Sequence, residues 1–266
     1  GELSQGAIDD ALRHSITKLS HLHFVATEDA AHRVLQMGEE PWRVVVSGSP
    51  TLDAIRTMRL LSREELARQF DLPLDGPPLL VTFHPTTLEY QQAQRQVSEL
   101  VAALEGVDLP IILTMPNADV QGRVIRQAME LFARTHPRAR IVENFGPQGY
   151  FSLMACAAAM VGNSSSGIVE APSFGLPVVN VGTRQEGRLR AANVIDVDPT
   201  RQAIARGIQQ ALSPALRQRL QGLANPYGDG HAAERIVDRL KSVPLDERLI
   251  RKRFINAATA PADAYK

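Results

Sequence analysis

The chain has 266 residues, of which 44% are hydrophobic and 22% are charged, an ordinary globular balance that argues against disorder. Lysine plus arginine equals aspartate plus glutamate at 29 each, so no net basic field would attract nucleic acid or an anionic membrane. Any anionic ligand must therefore be held by a local site.

The first part of the chain mixes short strands with helices. Strands are predicted at residues 22–26 and 43–46, and helices at residues 28–38 and 51–61. Ser62 begins a Ser-Arg-Glu-Glu sequence that has the form of a capping box and opens another helix.

A break rich in proline and glycine at residues 75–78 precedes a regular alternation of strands and helices. Strands are predicted at residues 79–83, 110–114, 139–142, 159–161, 177–181 and 193–197. Helices are predicted at residues 91–104, 122–134, 149–157 and 200–212. Apolar strands separated by amphipathic helices predict an α/β fold: a Rossmann-like parallel sheet with helices on both faces.

We expect three segments. Residues 1–75 would be a remnant of a first Rossmann-like domain with a linker, residues 76–245 a complete nucleotide-binding Rossmann-like domain, and residues 246–266 a C-terminal helix and tail. The single cysteine, Cys156, lies in an apolar run and is typical of a buried small side chain. No apolar run reaches the roughly 18 residues of a membrane span, and we expect a cytoplasmic protein.

Ligands bind beyond the carboxyl ends of the strands in such a sheet, which selects five loops. The loop at residues 161–172 carries a serine-rich turn that leads into a short helix. The turn consists of Ser164, Ser165, Ser166 and Gly167. Its hydroxyls, unencumbered backbone N–H groups and helix dipole suit a diphosphate, and Glu170 could accept from two ribose hydroxyls. A polar N-cap with a solvated Glu170 is an equally good interpretation.

The other loops carry single candidates. Arg184, in a glycine-flanked loop at residues 182–188, suits phosphate contact or is an ordinary exposed side chain. His84 could bond to a sugar or phosphate, or cap its own loop. Phe145 could pack on a flat base, although a hydrophobic plug is the default interpretation.

The N-terminal segment contains a group of ionisable residues. Asp9 and Arg13 are spaced i, i+4 and share a helix face, and His14 follows them. Carboxylates here could remove a proton, or could simply favour the positive end of a helix. The histidines of this region do not have metal-ligand spacing, so we expect neither a metal nor another cofactor.

Several motifs in the same order resemble the hydrolysing UDP-N-acetylglucosamine 2-epimerases. They lie at residues 8–24, 116–119, 163–170, 182–188 and 227–230. The resemblance covers most of residues 1–245 and implies a GT-B architecture, with two Rossmann-like domains. It also implies that a base removes the C2 proton as UDP leaves, and that water then adds to the 2-acetamidoglucal to give the free 2-epimer.

The resemblance assigns roles by motif. The serine turn would hold the diphosphate, Glu170 the ribose, and Phe145 would lie at the uracil. The remaining expected binding residues are Arg184 near the phosphates and His84, Asn117 and Asp119 near the substrate. The expected catalytic group consists of Glu2, Asp9, Arg13 and His14. In the family, Glu2 would end a segment deep in the N-terminal domain, so we expect that domain to be truncated in this chain and the chain alone to be inactive.

Two other function classes remain open. GT-B folds also serve glycosyltransferases, which differ in needing an acceptor, and this chain by itself could be a nucleotide-sugar-binding domain. The partner expected is a UDP-linked sugar, without nucleic acid or membrane, and the intact protein would be a homo-oligomer, a dimer or tetramer. The sugar is not fixed by the motifs: a diacetylbacillosamine or GDP-linked analogue, feeding legionaminic rather than neuraminic acid synthesis, fits equally.

Overall fold

A computed structural model describes residues 1–3, 9–117 and 121–256, with only the backbone of Thr87, Leu88 and Tyr90 described. These residues form two compact units. Unit one consists of residues 1–3, 9–56 and 226–256, and unit two consists of residues 57–117 and 121–225.

Helices and strands alternate along the described residues. The α-helices are α1 (Asp9–Leu19), α2 (Glu28–Gln36), α3 (Pro50–Thr57), α4 (Arg63–Phe70), α5 (Ala93–Leu104), α6 (Gly122–Thr135), α7 (Gly146–Cys156), α8 (Ser166–Val169), α9 (Arg201–Ala211), α10 (Pro214–Arg219), α11 (Ala232–Ser242) and α12 (Glu247–Ile250). The strands are β1 (His23–Val25), β2 (Val44–Val46), β3 (Leu79–Thr82), β4 (Ile111–Thr114), β5 (Ala139–Val142), β6 (Ala159–Gly162), β7 (Val178–Val181) and β8 (Val194–Val197). Short 3-10 helices lie at Pro41–Arg43, Thr87–Gln92 and Ala171–Phe174.

Unit two is built on a parallel sheet in the order β5-β4-β3-β6-β7-β8. From β3 the chain moves outward through β4 to β5, and it then returns to place β6 on the other side of β3. This is the Rossmann strand order, and at the reversal the chain segments that follow β3 and β6 lead to opposite faces of the sheet, which opens a crevice beyond the carboxyl ends of the two strands. The predicted parallel sheet is therefore confirmed.

Both faces of this sheet are buried, as the continuous apolar strands predict. Leu79 and Val81 share a core with apolar residues of α5, α6 and α9. Alternate residues point to the opposite face, where Met160 and Val178 lie against α8, close to Gly167. Burying one such side chain contributes about 1.5–3 kcal/mol, so the two layers together fix the sheet.

Gly162 ends β6 beside Thr82 of β3, with a φ of 140°. A Cβ on this residue would lie 1.9 Å from the Thr82 carbonyl oxygen. Only glycine can take this backbone conformation at so close an approach. The chain therefore leaves the sheet sharply at the crevice, and the serine turn begins directly beside the end of β3.

Unit one contains a smaller parallel pair, β1 with β2, joined through α2. Val25, Ala30 and Val34 form its core, and the side-chain oxygen of Thr27 accepts the N–H of Ala30 at 3.2 Å to cap α2. Thr27 thus supplies the start signal for a helix that covers the two strands.

The last described segment of the chain belongs to unit one. The carboxylate of Asp53 accepts the N–H groups of Ala232 and Ala233 at 3.0 and 2.9 Å, which caps α11. Buried Arg43 donates to the carbonyl oxygens of Arg248 and Leu249 at 2.6 and 2.9 Å, which holds α12.

These contacts differ from the predicted segments. Residues 226–245 group with unit one, whereas the sequence places them with the nucleotide-binding domain. Residues 57–75 group with unit two, because α4 packs on α7. The ring of Phe70 also lies against that of Phe145, the residue just before α7, with centroids 4.7 Å apart. The proline-glycine break at 75–78 therefore lies within a unit and does not separate two units.

Candidate functional site

The crevice of unit two gathers loops from five strands at their carboxyl ends. The predicted binding residues in these loops are His84 after β3, Asn117 after β4, Phe145 after β5, the serine turn after β6 and Arg184 after β7. Asp119 lies outside the described residues.

Asn163 connects three of these loops. Its side chain is almost fully buried; the Oδ1 atom accepts the N–H of His84 at 2.7 Å and the Nδ2 atom donates to the His84 carbonyl at 2.9 Å. The Asn163 carbonyl accepts from Arg184 at 3.1 Å and from Gln185 at 2.8 Å. Sequence reasoning missed this role of Asn163, because these partners come together only through the strand order.

His84 has a fixed protonation state. The Nδ1 atom accepts the backbone N–H of Asn117 at 3.1 Å. Burial and then the charge of Arg184 lower the pKa of His84 to about 4. The ring is therefore neutral at pH 7, with its proton on Nε2, and it can act as a hydrogen-bond donor there.

The loop after β7 is fixed by a hydrogen bond to Glu89. Thr183 donates its hydroxyl to Glu89 at 2.7 Å, and the Gln96 side chain donates to the same carboxylate at 2.8 Å. Because Thr183 is so anchored, the neighbouring Arg184 has a restricted position over the Asn163 carbonyl. A guanidinium held in this way can bind an anion with less loss of side-chain entropy than a mobile one.

The serine turn differs in one respect from the sequence-based expectation. The N–H of Ser166 donates to the Ser164 hydroxyl at 3.3 Å, and the N–H of Gly167 donates to the Ser164 carbonyl at 3.2 Å. The N–H of Ile168 donates to the Ser165 carbonyl at 2.9 Å. These N–H groups are therefore engaged within the turn, and α8 is a single turn with few aligned dipoles. The serine hydroxyls can still donate to an anion.

A pocket of about 420 Å³ lies beside the turn, within the range of small-molecule sites. Its lining includes Thr114, Phe145, Tyr150, Ser166 and Glu170. Glu170 is 9% exposed, so its carboxylate belongs to the pocket wall and is not the solvated side chain of the alternative interpretation. A larger cavity of about 610 Å³ lies at the amino ends of the strands, away from these loops.

Phe145 lines the pocket while it is anchored in the core. Its side chain is 7% exposed, and its ring packs against Phe70. Phe145 is therefore packed as an apolar plug, and it also lines the pocket where a base could lie against it. Its contact with a base stays a prediction.

The predicted catalytic group lies in unit one. Glu2 pairs with Arg13 at 2.9 Å, and His14 lies 3.5 Å from Asp10. Asp9 begins α1 and is exposed. Arg13 thus shares the expected helix face with Asp9, but its ion pair is with Glu2. The proposed base and the binding loops belong to different units.

Metal-binding clusters and membrane-spanning helices are both absent from the described part of the chain. No group of three or more His, Cys, Asp or Glu residues among the described residues is arranged to hold a metal ion. No helix in the same ranges combines the length and the apolar character that crossing a bilayer requires.

The sequence profile of the family described as UDP-N-acetylglucosamine 2-epimerase matches residues 1–241. The chain belongs to this family. It is 38% identical over 253 residues to the UDP-N,N'-diacetylbacillosamine 2-epimerase (hydrolyzing) of Legionella pneumophila, which covers 95% of this chain and 65% of that protein. It is 43% identical over 198 residues to the GDP/UDP-N,N'-diacetylbacillosamine 2-epimerase (hydrolyzing) of Campylobacter jejuni, which covers 74% of this chain and 52% of that protein. The chain thus matches between about half and two thirds of the length of these family members.

Solved structures of epimerases share the fold. The S. aureus MnaA-UDP co-structure superposes with a TM-score of 0.72 at 22% identity, covering 88% of this chain and 62% of that one. UDP-GlcNAc 2-epimerase from Neisseria meningitidis bound to UDP-GlcNAc gives a TM-score of 0.74 at 20% identity, covering 89% of this chain and 65% of that one. The prediction of an α/β, GT-B-type fold is confirmed by these neighbours.

Proposed function

We propose that this protein is a hydrolysing nucleotide-sugar 2-epimerase that acts on a UDP-linked N-acetylhexosamine. A base removes the C2 proton while the C1–O bond to UDP breaks, which leaves a 2-acetamidoglucal. Water then adds across this double bond, with oxygen at C1 and a proton at C2, to give the free 2-epimer. The family and the names of its relatives in Legionella and Campylobacter support this reaction.

The observation that carries the proposal is the convergence of polar loops on buried Asn163 at the β3–β6 crevice. The serine hydroxyls and Arg184 would bind the diphosphate, and Glu170 would accept the ribose hydroxyls. His84 would donate from Nε2 to the sugar or the β-phosphate, close to Asn117.

The elimination needs a carboxylate to take the C2 proton. We propose Glu2 and Asp9 for this chemistry, with Arg13 and His14 beside them. Glu2 and Arg13 lie 2.9 Å apart, so these two members of the group are already side by side. We further propose a cytoplasmic homo-oligomer that supplies a sialic-acid-type pathway, with UDP-diacetylbacillosamine as an alternative substrate to UDP-N-acetylglucosamine.

The reaction can be tested by incubating the full-length protein with each nucleotide sugar in D₂O and following the products by NMR. The proposal predicts a free 2-epimer with solvent deuterium at C2, formed without an acceptor. A product that forms only when an acceptor sugar is present would identify a glycosyltransferase instead. Binding with no reaction of any nucleotide sugar would leave a binding domain as the function.

A further inference from the structure

Asn144 lies in the loop between β5 and α7, on the wall of the pocket of about 420 Å³. Its Oδ1 atom accepts the backbone N–H of Gly146 at 2.8 Å. Because an N–H group can only donate, this contact fixes which end of the amide is the oxygen, and it leaves the Nδ2 group, with its two protons, as the donor end. The side chain is exposed, so a ligand in the pocket can reach it. The proposed function gives Asn144 no role.

The wall of the same pocket also includes Ser166 and Glu170, which belong to the segment after β6. In the sheet, β6 and β5 are separated by β3 and β4, so their ends lie three strand spacings apart, about 14 Å. Thr114, at the end of β4, lines the wall between them. A nucleotide with its diphosphate at the serine turn and its ribose at Glu170 would therefore extend its base along Phe145 toward the end of β5.

We propose that Asn144 is a specificity-determining residue for the base: its Nδ2 group donates to the keto oxygen O4 of uracil. This inference rests on the proposed binding of a nucleoside diphosphate at the serine turn. Uracil O4 accepts hydrogen bonds, whereas cytosine has at the same position an amino group that donates. Two donors would therefore face each other in a complex with CDP, and the site distinguishes UDP from CDP.

The neighbouring residues of this loop do not supply the same distinction. Phe145 offers a flat apolar ring, and every base has a face that can pack on such a ring. Glu143 has a carboxylate, which accepts hydrogen bonds when it is ionised, and it lies 3.1 Å from Arg126. The amide of Asn144 is therefore the side-chain donor that this loop contributes to the pocket wall.

The test measures the affinities of UDP and CDP by calorimetry at pH 7, for the 266-residue chain and its Asn144→Asp variant. The carboxylate of the variant can still accept the Gly146 N–H, so the loop keeps this contact, but it has no proton for uracil O4. It can instead accept from the amino group of cytosine. We expect UDP binding to weaken roughly 3- to 10-fold, the range for one hydrogen bond, and the ratio of UDP to CDP affinity to fall by about 10-fold or more.

Two further variants serve as controls. Gln148→Glu adds the same negative charge at the start of α7, where the Gln148 side chain donates to the Arg59 carbonyl at 2.9 Å. It should leave the ratio of UDP to CDP affinity unchanged. Asn144→Ser can accept the Gly146 N–H through its hydroxyl, but its side chain is shorter and has no amide donor. It should lower the ratio of UDP to CDP affinity less than Asn144→Asp does.

GDP identifies the source of the keto group, because guanine O6 accepts hydrogen bonds as uracil O4 does. We expect UDP to bind more tightly than GDP, and the opposite order would overturn the assignment to uracil. An unchanged ratio of UDP to CDP affinity in Asn144→Asp, or the same fall of that ratio in Gln148→Glu, would overturn the role of Asn144 and leave the proposed function intact. Absence of UDP binding by the unmodified chain would instead overturn the proposed function itself.

Discussion

Ser165 occupies the middle of the serine turn, with its side chain partly exposed and its carbonyl accepting the N–H groups of Ile168 and Val169. The turn therefore does not depend on its hydroxyl, which can bond to a ligand. Ser165→Ala should weaken UDP binding by about 1–3 kcal/mol, the range for loss of a charge-assisted hydrogen bond. Calorimetry measures this, with Ser98→Ala on α5 as the control, since that hydroxyl is exposed and bonds to the Gln94 carbonyl. Unchanged UDP affinity in Ser165→Ala would mean that the turn is only a helix start.

His84 should make the stability of the protein depend on pH. Burial and Arg184 lower its pKa to about 4 in the folded state, against about 6.5 in the unfolded chain. Between pH 6.5 and about pH 4, His84 is protonated in the unfolded chain but stays neutral in the folded protein. The free energy of unfolding therefore decreases as the pH falls through this window.

A His84→Asn variant isolates this effect, because the Asn Oδ1 atom can accept the Asn117 N–H as Nδ1 does. The loss of unfolding free energy between pH 7 and pH 5 should be smaller in the variant by about 1–2 kcal/mol. Urea titrations at the two pH values measure it. An identical pH dependence in both proteins would show that the ring is not held neutral.

The residue scale also shows the limit of sequence reasoning. His84, Arg184 and Glu170 could be selected because polar residues that follow apolar strands lie at the ligand edge of a parallel sheet. The role of Asn163 could not, because its partners are about 20 and 80 positions away and meet it only through the order of β3, β6 and β7.

At the scale of elements, the close approach of β6 to β3 depends on one glycine. Gly162→Ala would place a Cβ 1.9 Å from the Thr82 carbonyl at a φ that L residues avoid. The two strands would have to separate where the serine turn begins. We expect a loss of about 3 kcal/mol or more in unfolding free energy, together with loss of UDP binding.

Gly106→Ala is the matched control, because a Cβ there meets nothing within 4 Å. Chemical denaturation and UDP titration of the two variants give the comparison. A Gly162→Ala protein with the stability and UDP affinity of Gly106→Ala would show that the crevice does not need this approach.

The strands were predictable and the helix ends less so. Each predicted strand differs from the observed one by no more than one residue at either end, because apolar runs bounded by glycine or proline mark buried strands clearly. The helix predicted at residues 51–61 ends at Thr57, and α7 begins at Gly146, before the predicted residue 149. Helices near the surface lack a sharp signal at their ends when no capping residue is present, whereas Ser62 marked α4 correctly.

Glu39, just after α2, ties three segments of unit one together. Its buried carboxylate lies 2.6 Å from Lys18, 2.9 Å from His23 and 2.8 Å from Lys252. Burial alone would raise the pKa of Glu39, but hydrogen bonds from these three side chains lower it to about 2. The carboxylate is therefore ionised at neutral pH, where it can hold the segments around α1 and after α12 together.

Glu39→Gln should reduce the unfolding free energy of unit one by roughly 2–4 kcal/mol, less than for a fully buried pair because Lys18 is 40% exposed. Glu247→Gln is the control, since that carboxylate is exposed and pairs with exposed Arg251 at 3.3 Å. Thermal and urea denaturation of both variants provide the measurement. Equal stabilities of the two variants would contradict a structural role for Glu39.

At the scale of the whole molecule, the chain leaves unit one after residue 56 and returns to it at residue 226. The return is fixed by contacts between distant positions: Asp53 caps α11, and Arg56 donates to the Gly230 carbonyl at 2.7 Å. No composition change marks residue 56, so the sequence pointed to the proline-glycine break at 75–78 instead. Domain boundaries that depend on long-range capping of this kind cannot be located from local patterns.

The division into units leads to the last prediction, that the 266-residue chain binds UDP but does not release it from a nucleotide sugar. The described binding residues lie in unit two, which has its own extensive core, so UDP affinity should be measurable.

Turnover requires a carboxylate within hydrogen-bond distance of C2 in a closed site. Glu2 is paired with Arg13, Asp9 is exposed, and the chain matches only 52–65% of the length of its hydrolysing relatives. A coupled UDP-release assay with UDP-N-acetylglucosamine should therefore detect no activity, while calorimetry detects UDP binding. UDP release that is abolished by Glu2→Gln and by Asp9→Asn would show that these 266 residues already assemble the base at the substrate.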